Sequence, residues 1–391
     1  MRILIFNNDY PSFLRKFYAD MPGLASASHA EQIAARNASL FGVADFYSRN
    51  FRAHGHEAAE VHVNNDILQA TWMCENGHAE ASRGAFVRQA KGLEGLAWAV
   101  LRPLIRRLRG NILPAYQARA LRFQIEAFRP DLILNQEMSY IGSSFLNTVR
   151  KPGRRIIGQI ASALPVNDDF SAYDLVISSL PNLVQYFRGH GVTAALNRLA
   201  FDPSVLAAME SETLRDIDVS FVGSLSPDHE GRIALLEYLV ARVPLKVWGN
   251  GIERLPATSP LHGVYQGEAW GRDMYQVLRR SRLTLNHHID LAEDWANNMR
   301  LYEATGIGTM LLTDAKRNLG EMFVPGREVA VYSSPDDCVR KILYYLSHDE
   351  ERAAIAAAGQ MRTLHNHTYR IRTEEIAALA GGLHGATKGA A

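Results

Sequence analysis

The chain has 391 residues, 47% of them apolar and 21% charged, and its formal net charge is +1. That length and composition fit a globular protein of two domains with a sizeable core. The near-neutral balance excludes a polyanion partner drawn by bulk charge, so no nucleic acid is expected. Two distant cysteines, Cys74 and Cys338, form no CxxC. They exclude a disulfide framework and a zinc knuckle and fit a reducing compartment.

Short apolar runs alternate with helical patterns along the whole chain, the mark of a parallel α/β sheet. In the first half, strands are predicted at residues 2–6, 58–63, 131–134, 155–159, 175–178 and 193–198. The opening run is too short for a signal-peptide core and passes straight into Asn7, Asn8 and Asp9. No apolar stretch reaches the roughly 18 residues a transmembrane helix needs, so a cytoplasmic location is expected. Residues 93–109 carry leucines at helical spacing among Arg102, Arg106, Arg107 and Arg109. This suits a peripheral contact with anionic lipid at the inner face of a membrane. It equally suits a core-packed helix with a solvated basic face, the reading that Pro103 favours because it would kink a continuous helix.

In the second half, strands are predicted at 218–222, 245–248, 263–265, 283–286, 309–313 and 328–332, and helices at 337–346 and 350–360. Each set of six strands can build one doubly wound sheet, and two such sheets would face across a cleft. Residues 200–204 and the charged stretch 210–216 read as the linker. The glycine-rich tail from Gly381 has little to bury and is expected to fray.

Ligands of doubly wound sheets sit at the carboxyl ends of strands. Four places in the second half meet that test. Gly223 and Ser224 follow the first strand, with His229 and Arg232 opening the next helix, and glycine lets backbone N–H groups approach a phosphate. Gly249 and Asn250 follow the second strand; Arg254 stands where a full GxGxxG would have its third glycine. His287 and His288 follow the fourth. Adjacent histidines project in different directions, so hydrogen bonds to a base or sugar suit them better than one shared metal ion. Asn297 and Asn298 then lead into a helix carrying Arg300 and Glu303, three apart and so on one face. Anions bind at helix N-termini. A cation and an acid on the first turns could hold a diphosphate and its ribose hydroxyls together, or form an ordinary ion pair. The absence of GxxxxGK[ST], HExxH and GxSxG removes support for a P-loop NTPase, a zincin and an α/β-hydrolase.

The first half offers three candidates for a general base. Asp9 follows the first strand, Glu137 follows the third, and His29 lies behind them. Each also has a plain reading: Asp9 as a turn-former, Glu137 as a helix-start charge, His29 as a surface residue.

The segment Arg300-Leu-Tyr-Glu-Ala-Thr-Gly306, the strand ending Thr313-Asp314, and Phe323-Val-Pro-Gly-Arg-Glu328 resemble the C-terminal half of the CgeB-like glycosyltransferases, relatives of the family-4-type GT-B enzymes. Asp218-Val-Ser-Phe-Val-Gly-Ser224 is similar to that family's first C-domain strand and glycine turn. The resemblance covers residues 198–375; the first 180 residues share only a strand-opening N-terminus and an Asp-Tyr-Pro turn. It implies a GT-B fold: an N-terminal Rossmann-like acceptor domain at 1–199, a nucleotide-sugar domain at 200–364, and a C-terminal helix near 365–380 packing back on the first. It implies that Glu303 holds ribose hydroxyls and that Arg300 with nearby N–H groups holds a diphosphate. The donor would be a UDP- or GDP-type sugar and the acceptor a hydroxyl of a glycan, lipid-linked or protein substrate, in bacterial polysaccharide or glycoconjugate synthesis. No metal or other cofactor is expected, because no Asp-x-Asp is read at a strand end to hold a cation. One departure stands out: retaining members carry a glutamate eight positions before the ribose-binding one, where this chain has Trp295, preceded by Glu293 and Asp294. The rival readings are a sugar-nucleotide epimerase or hydrolase on the same scaffold and a non-enzymatic two-lobed binding protein.

Overall fold

Parallel pairing organises the chain into two sheets. The structure is a computed structural model that describes residues 1–79, 113–209, 214–225 and 230–386. Its first sheet contains β1 (Arg2–Asn7), β2 (Glu57–His62), β3 (Leu132–Asn135), β4 (Arg155–Gln159), β5 (Leu175–Ser178) and β6 (Ala194–Leu196), in the order β2-β1-β3-β4-β5-β6. Its second contains β7 (Ile217–Val222), β8 (Leu245–Trp248), β9 (Ser281–Asn286), β10 (Met310–Asp314) and β11 (Ala330–Tyr332), in the order β11-β10-β9-β7-β8. Every described pairing between these strands is parallel. Parallel strands are covered by helices on both faces and therefore read as continuous apolar runs. Ile3, Leu4, Ile5 and Phe6 are all buried, as are Ile133, Ile157, Val176, Leu283 and Leu312.

The chain divides into two compact units, residues 1–197 with 373–391 and residues 198–372. In unit 1 the helix His29–Ala38 opens on a capping box, in which Ser28 and Glu31 satisfy each other's backbone N–H groups. The last helix, Tyr369–Ala386, belongs to unit 1 from Thr373 onward. There Glu375 accepts a 2.9 Å hydrogen bond from Asn197, and the Leu383 carbonyl accepts one of 3.1 Å from Arg155. Helix continues through Ala386, with the Leu383 carbonyl held by Arg155, across the first residues of the tail expected to fray from Gly381; residues 387–391 of that tail lie outside the described residues.

In unit 2 the apolar core gathers Val219, Phe221, Leu245, Leu283 and Leu312 from the strands with Leu236 and Ile342 from the helices. Burying each such side chain is worth about 1.5–3 kcal/mol. The helix Pro335–Ser347 is capped by Ser334, whose hydroxyl accepts from Asp337 N–H at 3.2 Å. The strand expected at 263–265 is absent as a strand: Pro260–Gly263 is a 3-10 turn, and only Tyr265 forms a single bridge, to Val247. The basic stretch 93–109 and His229 lie outside the described residues. Among those residues, no helix is long and apolar enough to cross a membrane.

Candidate active site

The order of the second sheet defines where a ligand belongs. From β7 the chain moves to β8 on one side, while β9 to β11 extend on the other. The crevice between the carboxyl ends of β7 and β9 is therefore the topological switch point, the usual ligand position in such sheets. Its two lips are Gly223-Ser224 and His287-His288. Phe221 pairs with Leu285, which sets Val222 beside Asn286.

The helix Met299–Gly306 starts at this crevice. The Asn298 side chain caps it, accepting from Leu301 N–H at 3.2 Å, and donates through Nδ2 to Asn286 Oδ1 at 2.6 Å. Arg300 donates from Nη2 to the Val222 carbonyl at 3.1 Å, and its Nη1 lies 2.9 Å from Glu303 Oε2. The predicted pair thus forms at the switch point with both side chains largely buried. Burial pushes the Glu303 carboxyl above its ordinary value, and the Arg300 charge works against that rise. Arg300 Nε is buried and meets no hydrogen-bond acceptor among the described residues. The helix seats closely because Gly306 has no side chain: a Cβ there would lie 2.3 Å from the Phe201 ring.

The glycine turns of β7 and β8 lie against each other. Gly249 has φ 154°, and a Cβ on it would fall 1.7 Å from the Gly223 carbonyl oxygen. Gly223 N–H donates to Trp248 O and Gly249 N–H to Gly267 O, both at 3.0 Å, and the Asn250 carbonyl accepts from Leu225. Bare backbone therefore forms this part of the crevice. Arg232 acts as a brace. Its Nη1 donates to the Ser224 carbonyl at 3.1 Å and its Nη2 to the His287 carbonyl at 3.0 Å, tying the two lips together.

The two histidines have separate roles. His287 Nδ1 is 2.9 Å from the Tyr332 hydroxyl, which itself donates to the Asn286 carbonyl. His288 is buried with Nδ1 2.6 Å from Asp314 Oδ1. Burial pushes the Asp314 carboxyl up, but the hydrogen bond and charges from His288, His287 and Lys316 outweigh it and hold it down to about 2. Asp314 and Tyr332 were not among the sequence candidates. Their signal was available, since they end β10 and β11. Asn297 is buried beside the helix cap. Trp295 carries the Arg317 guanidinium 4.9 Å from its ring centre.

Unit 1 has its own switch point, between β1 and β3. Here Asn8 Nδ2 donates to Glu137 Oε2 at 3.2 Å. Glu137 is part-buried, and burial pushes its carboxyl up to about 7. Asp9 is a correction. It is buried and paired with Arg36 at 2.6 Å, with His62 Nδ1 3.3 Å away. Burial raises its carboxyl, but His62 and Arg36 together drive it well below the usual carboxylate range. Such a group is a poor proton acceptor. His29 opens its helix with its backbone N–H donating to Glu75 at 2.9 Å, and it lines a cavity with Leu68, Trp72 and Phe128. An Asp-x-Asp does occur, Asp216–Asp218, but at the amino end of β7, where Arg280 and Arg282 hold the two carboxylates.

Residues 232–378 match the model of a family described as Glycosyl transferase-like. No curated protein sequence matches the chain. Among solved structures, the chain is similar to AviGT4, a glycosyltransferase of avilamycin A biosynthesis (TM-score 0.56, 14% identity, 98% of this chain and 99% of that one). It is similar to a glycosyltransferase from Rickettsia africae (TM-score 0.56, 9% identity, 97% and 98%). It is also similar to HepE from Anabaena, solved in complex with UDP-glucose (TM-score 0.56, 12% identity, 97% and 99%). At such identities the likeness is one of fold: two Rossmann-like parallel α/β domains, as in these GT-B glycosyltransferases. The glycosyltransferase-like match over residues 232–378, on that fold, supports a glycosyltransferase.

Proposed function

We propose that unit 2 binds a nucleoside diphosphate sugar of UDP or GDP type, whose sugar passes to an acceptor hydroxyl on a glycan, lipid-linked or protein substrate. One observation carries this reading. A buried guanidinium with an unmatched Nε, that of Arg300, stands at the switch point on the first turn of a helix, beside backbone stripped of side chains at Gly223 and Gly249. Cation and helix N-terminus, with bare backbone that admits close approach, together suit a diphosphate. Glu303, one turn along, suits the ribose hydroxyls. The CgeB-like order of landmarks supports the same assignment.

The chemistry follows from charge. As the glycosidic bond breaks, negative charge grows on the leaving diphosphate. Fixed donors already aimed at that position lower the barrier without reorganising. These groups suffice without a metal ion. The acceptor hydroxyl must lose a proton as it attacks, and Glu137 is the carboxylate best suited to take it. A base works best when its pKa lies near the working pH, which is where burial has set Glu137. The reading places the reaction in the cytoplasm; two cysteines far apart in sequence, forming no CxxC, support that. Calorimetric titration with UDP and GDP is the direct test. Binding of one, with sugar release from the matching nucleotide sugar, is expected; binding of neither sinks the proposal.

A further inference from the structure

A second cavity in unit 2 lies on the face of the sheet covered by the helices Glu230–Val240 and Pro335–Ser347, at the carboxyl ends of β9, β10 and β11. Its volume is about 510 Å³, within the roughly 300–1,000 Å³ range of small-ligand sites. Leu235 and Tyr238 form an apolar wall, and His287, Asp314 and Ser334 supply polar groups.

The hydrogen-bond directions at this floor are fixed. The Tyr332 hydroxyl spends its proton on the Asn286 carbonyl, so its oxygen accepts from His287 Nδ1–H. Burial holds His287 below its ordinary value, which keeps the ring neutral, and a neutral ring protonated at Nδ1 has a lone pair at Nε2. Asp314 keeps acceptor capacity: His288 occupies Oδ1 and Lys316 Nζ stands 3.5 Å from Oδ2, which leaves further lone pairs on the carboxylate. The Ser334 hydroxyl accepts from Asp337 N–H and keeps its own proton to give. The floor therefore has two acceptors and one donor, set against an apolar wall. It matches hydroxyl groups, which both give and accept, on a ring with an apolar face.

We propose that this cavity is a carbohydrate site that takes one hexopyranose ring, its apolar face on Leu235 and Tyr238 and its hydroxyls on Asp314, His287 and Ser334. Two sources carry that chemistry. One is the hexosyl group of the nucleotide sugar, an assignment that rests on the donor reading above, since His287 also borders the diphosphate crevice through its carbonyl. The other is a saccharide acceptor, which does not depend on that reading.

The full chain is tested with UDP, with UDP-hexoses, and with the methyl glycosides of glucose, galactose, mannose and N-acetylglucosamine, by calorimetry and saturation-transfer NMR. Ala234 lies on the exposed side of its helix and lines the cavity, so Ala234→Phe fills the space with little cost to the core. Tyr238→Ala, which removes the wall instead, serves should the first variant fold poorly. Loss of about tenfold in UDP-hexose affinity with UDP unchanged identifies the donor's sugar. Loss of a methyl glycoside's saturation transfer, with UDP-hexose unchanged, identifies a saccharide acceptor. The proposal is overturned if wild type and both variants treat all sugars alike. It is also overturned if no glycoside binds wild type and no UDP-hexose binds better than UDP. If UDP itself fails to bind, the donor reading falls, and the glycoside arm still decides the cavity.

Discussion

Replacing Glu303 by alanine separates two effects that its position combines. In the unliganded protein the carboxylate lies 2.9 Å from Arg300 Nη1, with side-chain exposures of 7% and 12%. Removing it leaves a buried guanidinium without its counter-charge, which costs about 3–5 kcal/mol of stability for pairs of this kind. Burial already opposes the charged carboxyl, so the lower end is expected here. Bound nucleotide adds the second effect. Ribose hydroxyls that lose their acceptor cost roughly 1–3 kcal/mol, or about 5- to 150-fold in Kd. The two effects oppose each other in part, because a diphosphate neutralises the exposed cation. The ribose contribution is isolated by a cycle with a dideoxynucleoside diphosphate. Calorimetry should show wild type preferring the ribonucleotide by about 1–3 kcal/mol and Glu303→Ala preferring neither. Equal preference in the two proteins would refute the assignment of Glu303 to ribose.

Glu137→Gln should cut turnover by about 10²–10⁴ while sparing nucleotide affinity. In the wild type the active form is the carboxylate, so with a carboxyl at about 7 the rate should climb about tenfold from pH 6 to pH 8; a flat profile removes Glu137 from the role. Asp9→Asn should destabilise by about 3–5 kcal/mol in chemical denaturation, since Arg36 then lies buried without its partner. Asp9 titrates lower folded than unfolded, so its contribution is present above about pH 4 and fades as acid is added. The variant should lack that acid-sensitive limb, and unchanged stability would show the pair to be inconsequential. Activity should survive EDTA; a loss restored only by Mg²⁺ or Mn²⁺ would mean that the phosphate site needs a cation.

The strands were legible because burial on both faces leaves a local record. Ile3 to Phe6 and Ile156-Ile157 are apolar without interruption, and those runs locate β1 and β4 within a residue. The same rule misjudged Tyr265, where an apolar stretch makes one bridge and then turns away. Spacing also revealed Arg300 and Glu303, since residues three apart on a helix must share a face. The tertiary structure decided the chemical character of the acids. Asp9 and Glu137 both follow strands of the first sheet, and nothing local distinguishes them as bases. Folding brings Arg36, 27 residues away, and His62 against Asp9, while the Glu137 carboxylate is met by Asn8. One carboxyl is driven down and the other up to about 7. The pairing of His288 with Asp314 and the bracing of both crevice lips by Arg232 arise in the same way. A residue's place on a strand or helix is set by its near neighbours in sequence. Its charge state is set by whichever distant groups the fold packs against it and by how much water they exclude.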